Sequence, residues 1–373
     1  MRDGKLIAIV LPNLGGGGVE RVRLLLAKEF LARGYAVDLV LFKRSGGLLD
    51  YVPENVRVVE LSASSIRGAL LPLVRYLTRE RPAALLVAMW PLTAISYFAA
   101  KLARSRATLV LSEHTTLSSS TNQNRRSRLL LRLFGRRIYS GADAVVCVSD
   151  GARMDLCRTT SLHTHQVTVI HNPVDQTQAV GQAPQDLLNW WRSSPSRVLA
   201  AGRLASEKDF GSLLHAFSIV RGRVDARLII LGEGPQRAAL DQLKSELGLE
   251  EYVALPGFVP TIQPYLREAS LFVLSSRFEG LGNVITEALL EGVPVVSTDC
   301  PSGPAELLEN GRYGLLVEPG DPVGLAQAMV SSLEATHDRD SLRRRGREFD
   351  PVAAATKYLQ LLDPAAPEVR AET

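Results

Sequence analysis

The sequence predicts an α/β protein built from two tandem, doubly wound parallel-sheet domains. Two observations carry this expectation: short apolar runs alternate with segments of helical spacing almost throughout, and the alternation breaks once, near residues 172–185, before starting again. A third points to ligands, because several of the apolar runs end in glycine-containing loops that lead into helices.

In order, LIAIVL (residues 6–11) is the first strand. It is followed by Pro12, Asn13, Leu14 and four glycines, Gly15 to Gly18. VERVRLLLAKEFLARG then has helical spacing through Val19, Val22, Leu25, Leu26 and Phe30, with Gly34 placed as a C-terminal cap. AVDLVLF, VRVVEL, ALLVAM, ATLVLS, AVVCVS and QVTVIHNPVD read as further strands, with helices around 70–79, 92–102 and 128–139. The Asn-Pro pair and the polar stretch after it read as a linker. A second series opens with the strand at 198–201 in RVLAAGRLASEKDF and runs through ARLIILGEGP, YVALPGFV, SLFVLSS, VPVVST and GLLVEPGD. Its helices fall near 210–220, 236–247, 262–268, 283–291 and 323–333. The expected division is a domain over 1–177, a linker over 178–195 and a domain over 196–350, with the C-terminal helix in 351–373 packing back on the first domain.

The 373 residues suffice for two domains that each bury a core, and 46% hydrophobic with 22% charged residues is the balance of a soluble globular protein. The net charge is only +4, but it is unevenly placed: from His114 to Ala142 no acidic residue occurs, while Arg125, Arg126, Arg128, Arg132, Arg136 and Arg137 crowd one segment. Cys147, Cys157 and Cys300 are scattered without C-x-x-C spacing, which points to buried thiols in a reducing compartment and to no zinc site. No apolar run is long enough to span a bilayer. A cytoplasmic protein, at the inner face of the plasma membrane, is expected.

Residues 275–300, SSRFEGLGNVITEALLEGVPVVSTDC, hold the most informative stretch. A strand, a glycine turn with Glu279 and Gly282, and a helix start form a crevice of backbone N–H groups suited to an anion. Glu279 and Glu287 are poor phosphate ligands, so they read as acceptors for hydroxyl groups of a sugar and a ribose, or else as plain surface acids. The first glycine loop invites a dinucleotide reading, but Glu20 stands where G-x-G-x-x-G needs glycine, and Lys43 and Arg44 replace the ribose-binding acid. In GRLASEKDF, Arg203 and Lys208 follow a strand and can grip a diphosphate, one as a planar fork and the other as a point charge. SEHTT places Glu113 and His114 after a strand, where His114 can hydrogen-bond a sugar hydroxyl or cap a loop. His171 reads as structural.

GGGGVER, SEHT, HNPVD, GRLASEKDF, LGEGP, PGFV, FEGLGNVITEALLEGVPVVSTDCPSGPAELL and GLLVEPGD, in this order, closely resemble the retaining GT-B glycosyltransferases with the E-x7-E motif. That family includes enzymes of bacterial lipopolysaccharide, capsule and lipid-linked oligosaccharide synthesis. The resemblance implies two Rossmann-like domains facing a central cleft, and transfer of a sugar from a nucleotide diphosphate, most expectedly UDP, to a saccharide or polyprenyl-diphosphate-linked acceptor. It implies that Glu279 contacts the donor sugar, that Glu287 contacts the ribose, and that Arg203 and Lys208 hold the diphosphate with the backbone at Leu281, Gly282 and Asn283. Gly16 and Gly17 would approach the phosphate or sugar, His114 the sugar, and Gly257, Phe258 and Val259 the base. No cofactor and no bound metal are implied, and the anomeric configuration is retained. The segment RRSRLLLRLFGRRIY, with Leu129, Leu130, Leu133, Phe134 and Ile138 between its arginines, reads as an amphipathic helix on the acceptor side. Arg125, Arg126, Arg128 and Arg132 would face an anionic membrane or a pyrophosphate-linked lipid. A helix packed on the sheet with a solvated Arg face is the alternative. Nucleic acid is a poor fit, since stacking aromatics are missing from the segment. A non-hydrolysing UDP-sugar 2-epimerase and a non-catalytic nucleotide-binding module stay open as alternative functions.

Overall fold

The computed structural model describes residues 4–15, 17–118, 125–175 and 183–365, with the side chains of 125–127 left out. The chain divides into two compact units, Met1–Asp175 with Asp350–Thr373, and Gln176–Phe349.

Unit 1 runs β1 (Leu6–Leu11), α1 (Gly18–Ala32), β2 (Ala36–Leu41), β3 (Arg57–Glu60), α2 (Leu70–Glu80), β4 (Ala84–Ala88), α3 (Leu92–Leu102), β5 (Thr108–Glu113), α4 (Arg125–Ser140), β6 (Ala144–Cys147), α5 (Asp150–Thr160) and β7 (Thr168–Val169). Its seven strands are all parallel, in the order β3-β2-β1-β4-β5-β6-β7. The central strands β1, β4 and β5 are buried on both faces, as a sheet covered on two sides requires, while the edge strands β3 and β7 are only partly buried. Helix α1 ends as its glycine foretold: Gly34 is left-handed at φ 80°, Gly34 N–H donates to Leu31 O, and Tyr35 N–H donates to Phe30 O.

Unit 2 continues with α6 (Gln185–Arg192), β8 (Ser196–Ala201), α7 (Phe210–Arg221), β9 (Ala226–Leu231), α8 (Arg237–Glu246), β10 (Val253–Gly257), α9 (Gln263–Leu266) and β11 (Leu271–Leu274). It then runs α10 (Asn283–Leu290), β12 (Val295–Thr298), α11 (Pro304–Leu307), β13 (Leu315–Val317), α12 (Pro322–Glu334) and α13 (Arg339–Arg347). The six-stranded parallel sheet has the order β10-β9-β8-β11-β12-β13. Each sheet therefore reverses direction next to its first strand, between β1 and β4 and between β8 and β11. Those reversals open the crevice where ligands of such sheets sit.

The last helix, α14 (Pro351–Leu362), belongs to unit 1, where Ala355, Tyr358 and Leu362 join the core beneath α1. Three helices depart from the sequence reading. The expected linker over 178–195 contains α6, whose buried Trp191 donates from Nε1 to Arg227 O on unit 2 at 3.0 Å. Helix α5 starts on Ser149, which accepts from Ala152 N–H. In α13, which is almost wholly charged, Leu342 and Gly346 are among the few buried residues. A side chain at Gly346 would put Cβ 2.5 Å from Leu290 N, so its absence lets α13 pack against α10.

Candidate functional site

In unit 2 the site is assembled at the reversal between β8 and β11. After β8 the chain makes a 3-10 turn (Ser206–Lys208) and enters α7 through Asp209, whose carboxylate caps Ser212 N–H. After β11 come Ser275, Ser276 and the loop to α10. Ser275 Oγ donates to Lys208 O at 2.8 Å and Arg277 N–H to Glu207 O at 2.8 Å, tying the two loops together. Lys208 Nζ then lies 2.5 Å from Glu279 Oε1, and Ser276 Oγ donates to the same oxygen at 2.6 Å.

The sequence assigned Lys208 and Glu279 to different parts of a ligand; the structure pairs them. Their side chains are 18% and 10% exposed, so the attraction is less screened than at the open surface. The pairing does not exhaust either group. An ammonium carries three donors and uses one here, and Glu279 Oε2 accepts no hydrogen bond among the described residues. Arg203 is more exposed and donates from Nη2 to Glu207 at 2.5 Å. Burial pushes the Glu207 carboxyl up, but the hydrogen bond and charge of Arg203, with the charge of Lys208, bring it below the ordinary value. Glu207 and Ser276 were missed in the sequence, although Glu207 stands at i+4 from Arg203.

The loop leading to α10 is held from behind. Ser302 Oγ donates to Gly280 O at 2.9 Å, and Gly303, at φ 95°, sits where any Cβ would lie 2.1 Å from Leu281 O. Gly282, at φ 93°, is the N-cap of α10, and no side chain caps the helix. Leu281 is buried, Asn283 opens the helix and Glu287 is half-buried along it. A helix N-terminus with its positive dipole end thus adjoins the Lys208–Glu279 pair. Cys300 is buried close to Glu279, and burial and the Glu279 charge push its thiol up to about 12. At the next strand ends, Gly257 closes β10 at φ 98°, Phe258 is an exposed aromatic and Val259 is half-buried.

In unit 1 the corresponding reversal joins other residues. Gly17 is the N-cap of α1, and Glu20 folds back over it, its Oε2 lying 2.5 Å from where a Gly17 Cβ would be. The loop is therefore less open than its glycines suggest, and burial raises the Glu20 pKa. Gly16 lies outside the described residues. His114 follows β5 and is buried, with Nε2 2.9 Å from Nη2 of the fully buried Arg23 on α1. Arg23 also donates to Ser112 Oγ, which donates in turn to Val87 O at 2.9 Å. Burial, then the Arg23 charge, hold the His114 pKa well below its ordinary value. The sequence reading overlooked Arg23, though it falls on the stripe of Val19, Val22, Leu26 and Phe30. Glu113 points to the opposite face of the sheet, where Tyr139 Oη, Trp90 N–H and Thr93 Oγ1 bond it and burial raises its pKa to about 7.

Helix α4 carries the basic segment. It buries Leu131, Ile138 and Tyr139, while Leu133 (64% exposed), Leu129, Leu130 and Phe134 face outward beside Arg128 and Arg132. The sequence grouped Ile138 with Leu129, Leu130, Leu133 and Phe134; the structure buries it with Leu131 and Tyr139, while Phe134, one turn earlier, stays exposed at the edge of the buried stripe. The side chains of Arg125 and Arg126 lie outside the described residues. Neighbouring α3 adds exposed Phe98 and Leu102. Among the described residues no helix is long and apolar enough to cross a membrane, and no group of three or more His, Cys, Asp or Glu is placed to hold a metal ion.

Family models match both units: Glycosyltransferase Family 4 over residues 16–178 and Glycosyl transferases group 1 over 195–335. The chain is 29% identical over 370 residues to the N-acetylgalactosamine-N,N'-diacetylbacillosaminyl-diphospho-undecaprenol 4-alpha-N-acetylgalactosaminyltransferase of Campylobacter jejuni, covering 95% of this chain and 99% of that protein. It is 26% identical over 311 residues to the amylovoran biosynthesis glycosyltransferase AmsD of Erwinia amylovora, covering 83% and 85%. Among solved structures, Anabaena HepE in complex with UDP and glucose superposes with a TM-score of 0.81 at 22% identity, over 96% of this chain and 99% of that one. The lipopolysaccharide outer core galactosyltransferase WaaB superposes with a TM-score of 0.71 at 18% identity, over 97% and 100%.

Proposed function

This chain belongs to the GT-B glycosyltransferases, and from that premise we propose that it moves a hexose or N-acetylhexosamine from UDP to a saccharide or polyprenyl-diphosphate-linked saccharide in surface-glycan assembly. The observation that carries this reading is the Lys208–Glu279 pair beside the uncapped N-terminus of α10. In it the charges that a nucleotide diphosphate needs and the acceptor that a sugar hydroxyl needs stand side by side. The names of the Campylobacter relative, whose substrate is a diphospho-undecaprenol, and of the UDP-bound HepE structure support the substrate classes.

The proposed step breaks the bond between the anomeric carbon and the UDP oxygen and forms a bond from that carbon to an acceptor hydroxyl oxygen on the same face. The leaving β-phosphate gains negative charge, which the remaining Lys208 donors, the Arg203 fork and the backbone at Leu281, Gly282 and Asn283 stabilise. The acceptor's proton passes to a phosphate oxygen of the departing UDP. Retention, therefore, is assigned without an enzymic nucleophile. Glu279 is already held by Lys208 and Ser276, which suits it to orienting the sugar through Oε2, and Cys300 stays a thiol. Glu287 takes the ribose, Gly257, Phe258 and Val259 take the base, and in unit 1 Gly16, Gly17 and His114 serve the sugar or phosphate. No metal or cofactor is assigned to the step. Helix α4 is proposed to rest on an anionic membrane through Leu129, Leu130, Leu133 and Phe134, with Arg128 and Arg132 at lipid phosphates.

Incubating the protein with UDP-sugars, with and without a polyprenyl-diphosphate-linked saccharide, tests this. Release of UDP, a product one sugar heavier and an α-linkage from an α-linked donor, all unaffected by a chelator, are expected. Epimerised donor with the acceptor untouched would sink the transferase reading, a β-linkage would sink retention, and chelator sensitivity would sink the metal-free step. For the membrane contact, Leu133→Asp with Phe134→Asp is expected to abolish co-sedimentation with vesicles rich in anionic lipid; undiminished binding overturns it.

A further inference from the structure

The hydrogen bonds around His114 have a direction that can be followed from one end to the other. Val87 O can only accept, so the Ser112 hydroxyl spends its single proton there, at 2.9 Å. Ser112 Oγ is then an acceptor toward Arg23 and has no proton to offer His114 Nε2, which lies 3.3 Å away. Arg23 Nη2 faces that same Nε2 at 2.9 Å, and a guanidinium nitrogen is never an acceptor. Nε2 must therefore present its lone pair. The ring proton is left on Nδ1, the less favoured tautomer of a free histidine side chain.

Two further observations bear on this. Among the described residues Nδ1 is buried with no hydrogen-bond partner, so none of them takes up its proton. Arg23 is fully buried and makes no ion pair among the described residues; its hydrogen-bond partners there are Ser112 and His114, and its guanidinium lies 5.3 Å from the centroid of the Tyr358 ring. Holding a guanidinium in the core without a carboxylate is costly, and Nε and Nη1 have no partner there either. A residue needed only for packing would not be an arginine. Its uncompensated charge also opposes a second positive charge on the ring beside it. The carboxylate adjacent in sequence, Glu113, lies on the other face of the sheet with Tyr139, Trp90 and Thr93 and does not reach the imidazole.

We propose that Arg23 is a positioning residue that locks His114 as a neutral Nδ1–H tautomer, so that His114 meets the sugar substrate only as a hydrogen-bond donor to an oxygen lone pair. The substrate contact rests on the glycosyltransferase reading above; the tautomer does not. A histidine fixed in this way discriminates: it rewards a sugar with an acceptor oxygen at that position and leaves its own buried N–H unpaired against one that lacks it.

The test is long-range 1H–15N correlation on the full-length protein labelled at its six histidines. The His114 signals are identified by their loss in His114→Gln or, should that variant not fold, by replacing the other five one at a time. Near neutral pH, wild type is expected to show a protonated Nδ1 and a bare Nε2 at His114. A protonated Nε2 or an imidazolium overturns the proposal with no variant needed. Arg23→Met is expected to release the ring to the other tautomer or a mixture, and Arg23→Lys to restore Nδ1–H; an unaltered Nδ1–H signal in Arg23→Met overturns the role of Arg23. In transfer assays Arg23→Met should lower kcat about 10-fold with the KM for the donor little changed, and Arg23→Lys should recover part of it. If the tautomer is as stated but His114→Gln transfers sugar at the wild-type rate, the substrate contact fails and the Arg23–His114 lock stands. If wild type itself transfers no sugar, it is the functional reading that fails.

Discussion

The two units place charge at the same topological point in opposite ways. In unit 2 the cations after β8 meet carboxylates in partly exposed ion pairs, Lys208 with Glu279 and Arg203 with Glu207. In unit 1 the cation on α1, Arg23, is sealed in the core against a neutral histidine and a hydroxyl. A paired, half-exposed cation keeps spare donors for a ligand that arrives with its own negative charge. A sealed one cannot be offered to a ligand and can act only through the group it touches. On the proposed reading, one sheet reversal binds and the other orients.

The largest effect that separates the two is on turnover. Lys208→Met should reduce kcat by about 100- to 1000-fold, the scale on which a donor to developing charge acts, against the roughly 10-fold expected for Arg23→Met. Steady-state assays at saturating donor check this, and equal losses would erase the contrast.

Next in size is the pH dependence of unit 1. The Glu113 carboxyl, raised from 4.5 to about 7, stabilises the fold most below pH 4.5 and loses that contribution as the pH rises to 7, about 3 kcal/mol across the window. His114, whose folded pKa is lowered, has the opposite sign: its contribution is present above 6.5 and is lost as the pH falls. In urea denaturation from pH 4.5 to 8, Glu113→Gln should remove a fall in stability as the pH rises from 4.5 to 7, and His114→Gln should remove a fall as the pH drops below 6.5. An unchanged profile in either variant would remove that group.

Glu287→Ala should weaken UDP binding by about 1–3 kcal/mol, through the loss of a hydroxyl partner on the half-buried helix α10. Titration calorimetry checks it, and unaltered affinity takes Glu287 out of the site. Smallest is the stability contrast. Lys208→Met leaves Glu279 at 10% exposure without its cation and should destabilise unit 2 by about 1–2 kcal/mol. Arg23→Met removes a buried charge that no carboxylate among the described residues offsets and should leave unit 1 as stable as before, or up to about 1 kcal/mol more so. Denaturant midpoints of the two variants decide it.

How far the sequence could be read follows the same division. The βα alternation and the glycines after several strands made both parallel sheets legible, because buried strands are largely apolar runs and glycines mark where the chain turns. The placement of Arg203, Lys208 and Glu279 in loops next to strand ends was legible too, with Glu287 along the helix that follows. Helices α6 and α13 were not: Trp191, Leu342 and Gly346 bury too few positions to leave a periodic signature. The Lys208–Glu279 pair spans 71 positions, a contact that no local pattern encodes. Arg23 stood in plain view on the apolar stripe of α1 and was overlooked, because helical spacing absorbs an arginine as a flanking charge. Only the fold reveals that its guanidinium turns inward.

On the proposed reading, Lys208 of unit 2 grips the donor's diphosphate and the buried Arg23 of unit 1 does not. Calorimetric titration of UDP into wild type, Lys208→Met and Arg23→Met tests it most directly. The account predicts an affinity about 10-fold or more weaker in Lys208→Met and one within about twofold of wild type in Arg23→Met. Undiminished affinity in Lys208→Met, or an equal loss in both variants, would contradict it.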